Sequence, residues 1–339
     1  MTTISWNIYK NCLKSENRIQ EIIILDLRQS INNFMFVMKD MKVHRTPEHR
    51  FKNLKDYPFS PNYLTVDEIR IHYVDEGPKD AEPILLMHGE PSWSYLYRNI
   101  IPALVKEGFR VLAPDLVGFG KSDKPVKQSD YTYASHLHWI QSWLDQVDLR
   151  NITMFCQDWG SLIGLRIAVA NKDRFKRIIL ANGGMNSPRP GSRGPPKAFL
   201  NWRKFSQKTP ILPIGYVMQR GTYGEISREV KKAYNAPFPG PKYKAGARIF
   251  PSLVPIYPDE PEAINNVKAW EEYGKWDIPF LTAFSDKDPI TRRGAKIAQK
   301  LALGARDREH PIVKNAGHFL QEEKPEEIVK IILEFIKNS

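Results

Sequence analysis

From Tyr63 onward the chain alternates short apolar runs with longer amphipathic ones. The stretch "YLTVDEIRIHYVDEG" reads as a hairpin-like pair of strands, and "PILLMHG", "RVLAPDL", "NITMFCQD" and "RIILANGG" read as four further strands. Unbroken apolar runs of about four to eight residues mark strands buried on both faces, whereas recurrence every three to four positions marks a helix. By that second pattern "SYLYRNIIPALVKEG" and "ASHLHWIQSWLDQVD" are helices lying between the strands. Doubly buried strands alternating with helices predict an α/β fold with a mostly parallel sheet covered on both sides.

After Gly184 this rhythm stops. Residues 186–257 are rich in proline, arginine and aromatics, with helix-compatible pieces ("AFLNWRKFSQK", "ISREVKKAYN") and no convincing strand. Sheet-like text resumes at "IPFLTAFSD" and ends with "HPIVKNAGH" and the helix "PEEIVKIILEFIKN". The simplest organisation is an α/β core built from residues 38–185 and 258–339, with a helical cap inserted at 186–257. Residues 1–37 have no place in this scheme and read as an N-terminal extension of unknown role, with Met38 and Met41 as alternative starts.

Composition narrows the class without changing that picture. With 339 residues, 42% hydrophobic and 26% charged, the chain belongs among globular proteins. The net charge of +12 invites a nucleic-acid reading, but the basic residues are spread among acids and prolines and accompany no DNA- or RNA-binding motif. A solvated basic surface and no nucleic-acid partner are expected. No apolar run reaches the length of a membrane span, and "EIIILDLRQSINNFMFVM" is broken by Asp26 and Arg28 and lacks a small-residue cleavage site. Two cysteines, Cys12 and Cys156, do not make a disulfide scaffold. A cytoplasmic monomer with no membrane partner is the expectation.

The chemistry centres on "FCQDWGSLIG", where a strand runs through a sharp turn into a helix. Cys156 and Gly160 flank Asp158 two residues either side, as the tight turn of a nucleophile elbow requires. An aspartate at a helix start is also an ordinary N-cap. In "LMHGEPSWSYLYR" the loop after an apolar strand offers the N–H of Glu90, which together with the N–H of Trp159 makes an oxyanion hole worth ~3 kcal/mol per donor. His88 in that loop reads as structural. Downstream, "FSDKDPIT" and "NAGHFLQEEKP" supply Asp288 and His318, giving the order nucleophile, acid, base. Asp286 is the rival acid, and the other position for an acid, at the end of "RIILANGG", holds Asn182. No His/Cys cluster has metal-ligand spacing, and no metal or organic cofactor is expected.

Taken together, "HGEPSWSYLYR", "PDLVGFGKSDKP", "CQDWGSLIGL", "DKDPIT" and "NAGHFLQEE" resemble the haloalkane dehalogenases of the α/β-hydrolase superfamily, from about Met41 to the C-terminus. Glu90 and a tryptophan after the nucleophile resemble the subfamily that holds its halide between two tryptophans. The resemblance implies an α/β-hydrolase fold and hydrolysis of a haloalkane to primary alcohol and halide through an ester on Asp158. It also implies His318 as general base, Asp288 as its orienting acid, and Trp159 and Trp202 as halide ligands. Trp270 and Trp276 fall in the helix returning to the core, and Trp93, Trp139 and Trp143 read as core residues. Substrate, water and halide are then the only partners. An epoxide hydrolase is the alternative, since it uses the same aspartate with two cap tyrosines, here drawn from Tyr216, Tyr223, Tyr234 and Tyr243. A fluoroacetate-type enzyme would want basic residues nearer the nucleophile than Arg166, and an inactive binding protein would not retain Asp158, Asp288 and His318 together.

Overall fold

The computed structural model describes residues 41–192 and 194–339, so the extension expected at 1–37 lies outside the described residues. In chain order the strands are β1 (Val43–His44), β2 (Asn62–Val66), β3 (Ile69–Glu76), β4 (Pro83–Met87), β5 (Arg110–Pro114), β6 (Lys124–Pro125), β7 (Ile152–Asp158), β8 (Phe175–Gly183), β9 (Phe280–Thr282), β10 (Phe284–Ser285) and β11 (Ile312–Val313). The helices are α1 (Ile101–Lys106), α2 (Tyr133–Val147), α3 (Trp159–Ala170), α4 (Lys197–Lys208), α5 (Ile214–Gly221), α6 (Arg228–Asn235), α7 (Ala245–Leu253), α8 (Pro261–Tyr273), α9 (Gly294–Leu301), α10 (Leu320–Glu323) and α11 (Pro325–Lys337).

Seven strands make the main sheet in the order β2-β3-β5-β4-β7-β8-β9. The hairpin β2–β3 and the β3–β5 pair are antiparallel, and β5, β4, β7, β8 and β9 run parallel. All five residues of β4 are buried, as its unbroken apolar run requires. Burying an Ile, Leu or Met side chain contributes roughly 1.5–3 kcal/mol, so Ile84, Leu85, Leu86 and Met87 alone anchor the sheet's middle. Helix α2 starts where Thr132 and Ser135 exchange side-chain and backbone hydrogen bonds, each at 2.9 Å. The stretch expected as one helix after Trp93 is two pieces, a 3₁₀ turn at Ser94–Tyr97 and α1. Pro102 explains the break: it has no N–H to give the carbonyl of Arg98, and it is tolerated only in a helix's first turn.

Trp93, Trp139 and Trp143 are fully buried in the core. Trp270 lies in α8, but Trp276 stands beyond that helix's end at Gly274, a small correction to the expected helix. Between β8 and α8 the described residues form four helices, α4 to α7, and no strand. Helix α4 packs on α7 and α5 on α6, so the segment is a pair of helix pairs rather than an extension of the sheet.

The parallel strands deliver their following loops to one edge, the usual place for a site in such sheets. There α3 begins hard against β4: a Cβ added at Gly160 would stand 2.2 Å from the carbonyl oxygen of Met87. Because that neighbour is backbone in mid-sheet, Gly160→Ala is expected to lower unfolding stability by about 1–3 kcal/mol in urea titration. An unchanged midpoint would mean the contact is not as tight as described.

Candidate active site

Strand β7 is buried up to its last residue and ends in Asp158, whose backbone is left-handed at φ 49° and ψ −126°. Holding a non-glycine residue there costs about 1–3 kcal/mol, which surrounding packing must offset. The Asp158 side chain makes no capping bond to α3, so the ordinary N-cap reading fails. Its carboxylate points instead across the gap to the loop after β4. Glu90 donates its backbone N–H to Asp158 Oδ1 at 2.7 Å. Gly89 has to be glycine for that approach, since an added Cβ would stand 2.4 Å from the Cβ of Asp158. Trp159 is the first residue of α3, and its N–H therefore has no partner within the helix. Ser161 braces the turn by donating to the Asp158 carbonyl at 2.5 Å and accepting from the Gly184 N–H at 2.7 Å. His88 accepts the Leu116 N–H on Nε2 at 2.9 Å, which fits its expected structural part.

The loop after β11 brings in His318, buried, with Nε2 at 3.4 Å from Asp158 Oδ2 and Nδ1 at 3.3 Å from Asp288 Oδ2. The rival Asp286 turns away, accepting the Asn315 N–H at 2.8 Å and pairing with Lys287. Asp288 is fixed by the backbone N–H groups of Ile290 (2.8 Å) and Thr291 (3.1 Å) and by the Thr291 hydroxyl. Burial alone would lift its pKa, but the His318 charge and these donors outweigh it and lower Asp288 to about 2. For His318, burial disfavours the charged ring, and the carboxylates of Asp288 and Asp158 overcome it and raise the pKa to about 10. Gln157 opposes that charge: its amide lies 3.0 Å from Nε2 and donates to the His318 carbonyl at 3.2 Å, and only an unprotonated Nε2 can accept the first contact. The two carboxylates win. Burial and then the Asp158 charge push the Glu90 carboxyl well above its ordinary range.

Trp159 is buried, its ring 4.6 Å from Phe250 on α7 and 5.4 Å from Tyr133 on α2. Trp202 sits half-buried on α4 and stacks on Phe205 at 5.8 Å. No ring contact joins the two tryptophans among the described residues; α7, on which α4 packs, contributes Phe250 against the Trp159 ring. Trp270 is already engaged, donating its indole N–H to the Met185 carbonyl at 3.0 Å. Of the four tyrosines considered, Tyr234 donates to Glu322 at 2.6 Å, Tyr216 and Tyr223 are 58% and 60% exposed, and Tyr243 packs on His44.

Several supporting residues escape a reading of motifs. Asn182, noted in the sequence for lacking a carboxylate, has an amide that donates to the carbonyls of Gly317 (2.9 Å) and His318 (3.0 Å) and to Ser285 Oγ (2.8 Å). Glu322 accepts two bonds from buried Arg98, at 2.6 and 2.7 Å, as well as the Tyr234 hydroxyl. Glu323 accepts the backbone N–H groups of Tyr223 (2.8 Å), Gly224 (2.6 Å) and Gly317 (2.6 Å), and the His318 N–H donates to the Gly221 carbonyl at 2.6 Å. The visible signal was the doubled glutamate in "GHFLQEE", which no solvated helix face near a buried histidine needs.

A family model described as alpha/beta hydrolase fold matches residues 82–325. A haloalkane dehalogenase of Psychrobacter cryohalolentis is 51% identical over 88% of this chain and 99% of its own length, and one of Mycobacterium marinum is 46% identical over 86% and 99%. Among solved structures, the tetrameric haloalkane dehalogenase DpaA of Paraglaciecola agarilytica superposes with a TM-score of 0.80 at 34% identity, covering 86% of this chain and 98% of that one. The elbow aspartate, the histidine between two carboxylates and these likenesses over nearly the whole length of the relatives agree, and the chain belongs to the haloalkane dehalogenase family of the α/β-hydrolase superfamily.

Proposed function

We propose that the protein hydrolyses haloalkanes to primary alcohol and halide in two steps through a covalent ester on Asp158. The observation that carries this reading is a carboxylate, rather than a hydroxyl, at the elbow, with an indole next to it and a histidine 3.4 Å away. A carboxylate needs no base to attack saturated carbon. Oδ2 displaces the halide, the carbon–halogen bond breaks with its electron pair, and the indole N–H groups of Trp159 and Trp202 receive the leaving anion. Hydrogen bonds to a charged partner contribute roughly 1.5–3 kcal/mol each. Water then attacks the ester carbonyl, His318 takes its proton, Asp288 steadies the imidazolium, and the N–H groups of Glu90 and Trp159 hold the oxyanion on Oδ1. The ester C–O bond then breaks, the proton taken by His318 passes to the leaving alkoxide oxygen to give the alcohol, and the Asp158 carboxyl sheds its remaining proton to regain its charge.

Electrostatics time the base. While Asp158 is charged, His318 is held protonated with a pKa of about 10. Esterification removes one of its two negative neighbours, the ring loses that support, and Nε2 becomes available when water must be deprotonated. In this reading the segment 186–257 is a helical cap on a core of residues 38–185 and 258–339. A monomer in the cytoplasm is the proposed state, since each proposed site residue comes from one chain and only two cysteines occur. The epoxide hydrolase alternative loses ground on the tyrosines, since Tyr234 is bound to Glu322 and Tyr216 and Tyr223 face outward.

Incubation with a short bromoalkane should release bromide, and a simple epoxide should yield no diol; diol without bromide would reverse the assignment. His318→Phe is expected to release about one bromide per enzyme and then stall as the ester, visible by mass spectrometry, whereas normal turnover would remove His318 from the second step. Trp202→Phe should weaken bromide binding, followed by tryptophan fluorescence, by about 10- to 100-fold, the equivalent of one charged hydrogen bond; unchanged affinity would exclude Trp202 as a ligand. In Asp158→Asn the His318 titration, read by NMR, should move well below the wild-type value of about 10. By linkage the stabilisation from charged His318 is complete below about pH 6.5 and is lost as pH rises through the folded pKa, so the variant should lose it at lower pH than the wild type.

A further inference from the structure

The positive charge of this protein is concentrated in one place. Residues 186–257 hold thirteen Lys and Arg against two acids, Glu225 and Glu229, a net of +11 out of the chain's +12. Elsewhere the basic residues are largely matched, as in Arg98–Glu322, Arg110–Asp75 and Arg166–Glu262. Among the described residues of 186–257, no Lys or Arg has a carboxylate oxygen within 4.0 Å in an ion pair of this kind. Three of the cations serve the fold instead: Arg203, Lys244 and Arg248 donate to backbone carbonyls. The others carry a positive charge that no ion pair of this kind among the described residues offsets.

Helix α4 shows how that field is presented. Lys197, Lys204 and Lys208 fall on one stripe of its exposed face, spaced by seven and four residues. Leu200 and Phe205 flank the stripe, 41% and 43% exposed, and Ile211 follows the helix at 69% exposed. The opposite face carries Phe199, Trp202 and buried Ser206 against the body of the protein. A helix with cations in a row and apolar side chains beside them, packed from behind, has the composition of one that lies in a membrane interface.

We propose that the exposed face of α4 formed by Lys197, Leu200, Lys204, Phe205 and Lys208, with Ile211 just beyond the helix, docks on the surface of an anionic lipid bilayer. Charge complementarity selects the partner's sign, and the three exposed apolar residues select lipid over nucleic acid, whose phosphate backbone gives Leu200, Phe205 and Ile211 nothing to enter. The sequence expectation of no membrane partner rested on the lack of a spanning segment, and surface docking needs none: among the described residues no helix is long and apolar enough to cross a membrane. The purpose of docking rests on the haloalkane reading, since a haloalkane dissolves in the bilayer interior and α4 would meet that reservoir on one face while carrying Trp202 on the other.

Flotation of the full chain with vesicles tests the surface independently of turnover. Binding is expected to vesicles of phosphatidylglycerol mixed with phosphatidylcholine and not to phosphatidylcholine alone, weakening as salt rises. Lys204→Glu with Lys208→Glu should lower vesicle affinity at least tenfold, because each basic residue near an anionic surface is worth roughly a fivefold change in affinity. Leu200→Ser with Phe205→Ser should lower it several-fold while leaving the salt dependence in place, and the lysine variant should keep the thermal midpoint of the wild type. Absence of binding to the anionic vesicles, equal binding to neutral ones, or affinity untouched by the α4 substitutions would overturn the proposal. Duplex DNA binding that survives Leu200→Ser with Phe205→Ser, without vesicle binding, would point to a nucleic-acid partner instead. Bromide release from a dissolved bromoalkane in the absence of vesicles keeps the haloalkane reading separately testable.

Discussion

The left-handed backbone at Asp158 is the constraint around which the structure is arranged. A residue with a side chain does not hold φ 49° unless its neighbours leave it no choice. Here the neighbours are backbone: Gly89 passes against its carboxylate, and Gly183 lies so close that an added Cβ would stand 2.9 Å from the Asp158 N. Each approach depends on parallel strands β4, β7 and β8 ending at the same level, so sheet register, glycine placement and the aim of one carboxylate are a single problem. The proposed chemistry uses the result twice, with Oδ2, beside His318, as the attacking oxygen and Oδ1 already seated on the Glu90 N–H that would later steady the oxyanion.

Much of this was legible in the sequence, because strong local signals coincide with the architecture. Strands such as β4 and β7 are buried on both faces and therefore read as apolar runs. The elbow declares itself because a tight turn demands small residues around a polar tip. The sequence offers Asp286 and Asp288 two residues apart, and in the fold their carboxylates face opposite ways, one toward the Asn315 N–H and one toward His318. What a motif cannot carry is tertiary contact without periodicity. Asn182, Gln157 and, through Tyr223, Glu323 act on backbone groups of residues far away in the chain, so nothing near them in sequence announces the partner. Pro102 is the opposite case, a legible residue whose interruption of a helical pattern the sequence reading passed over.

Charge is distributed according to task. Inside, His318 sits between two carboxylates, and its protonation is decided by which of them is negative. Outside, the described basic residues of 186–257 form no ion pairs of their own, while the core balances most of its cations with acids. A net charge of +12 read from composition alone suggests a uniformly basic surface. The sequence confines nearly all of that excess to one segment, residues 186–257.

The paired glutamates of α10 fasten residues 223–234 to the loop that carries His318 and to Arg98. Glu323 ties Tyr223 and Gly224 to Gly317, Glu322 ties Tyr234 to Arg98, and Gly221 receives the N–H of His318. Helices α4 and α7 are bound to one another instead, through Arg203 to the Ser252 carbonyl and Gln207 to the Arg248 carbonyl. Each glutamate of α10 thus serves donors from two distant stretches of chain at once, and replacing either by an apolar residue would leave those donors unmet at roughly 1–3 kcal/mol each.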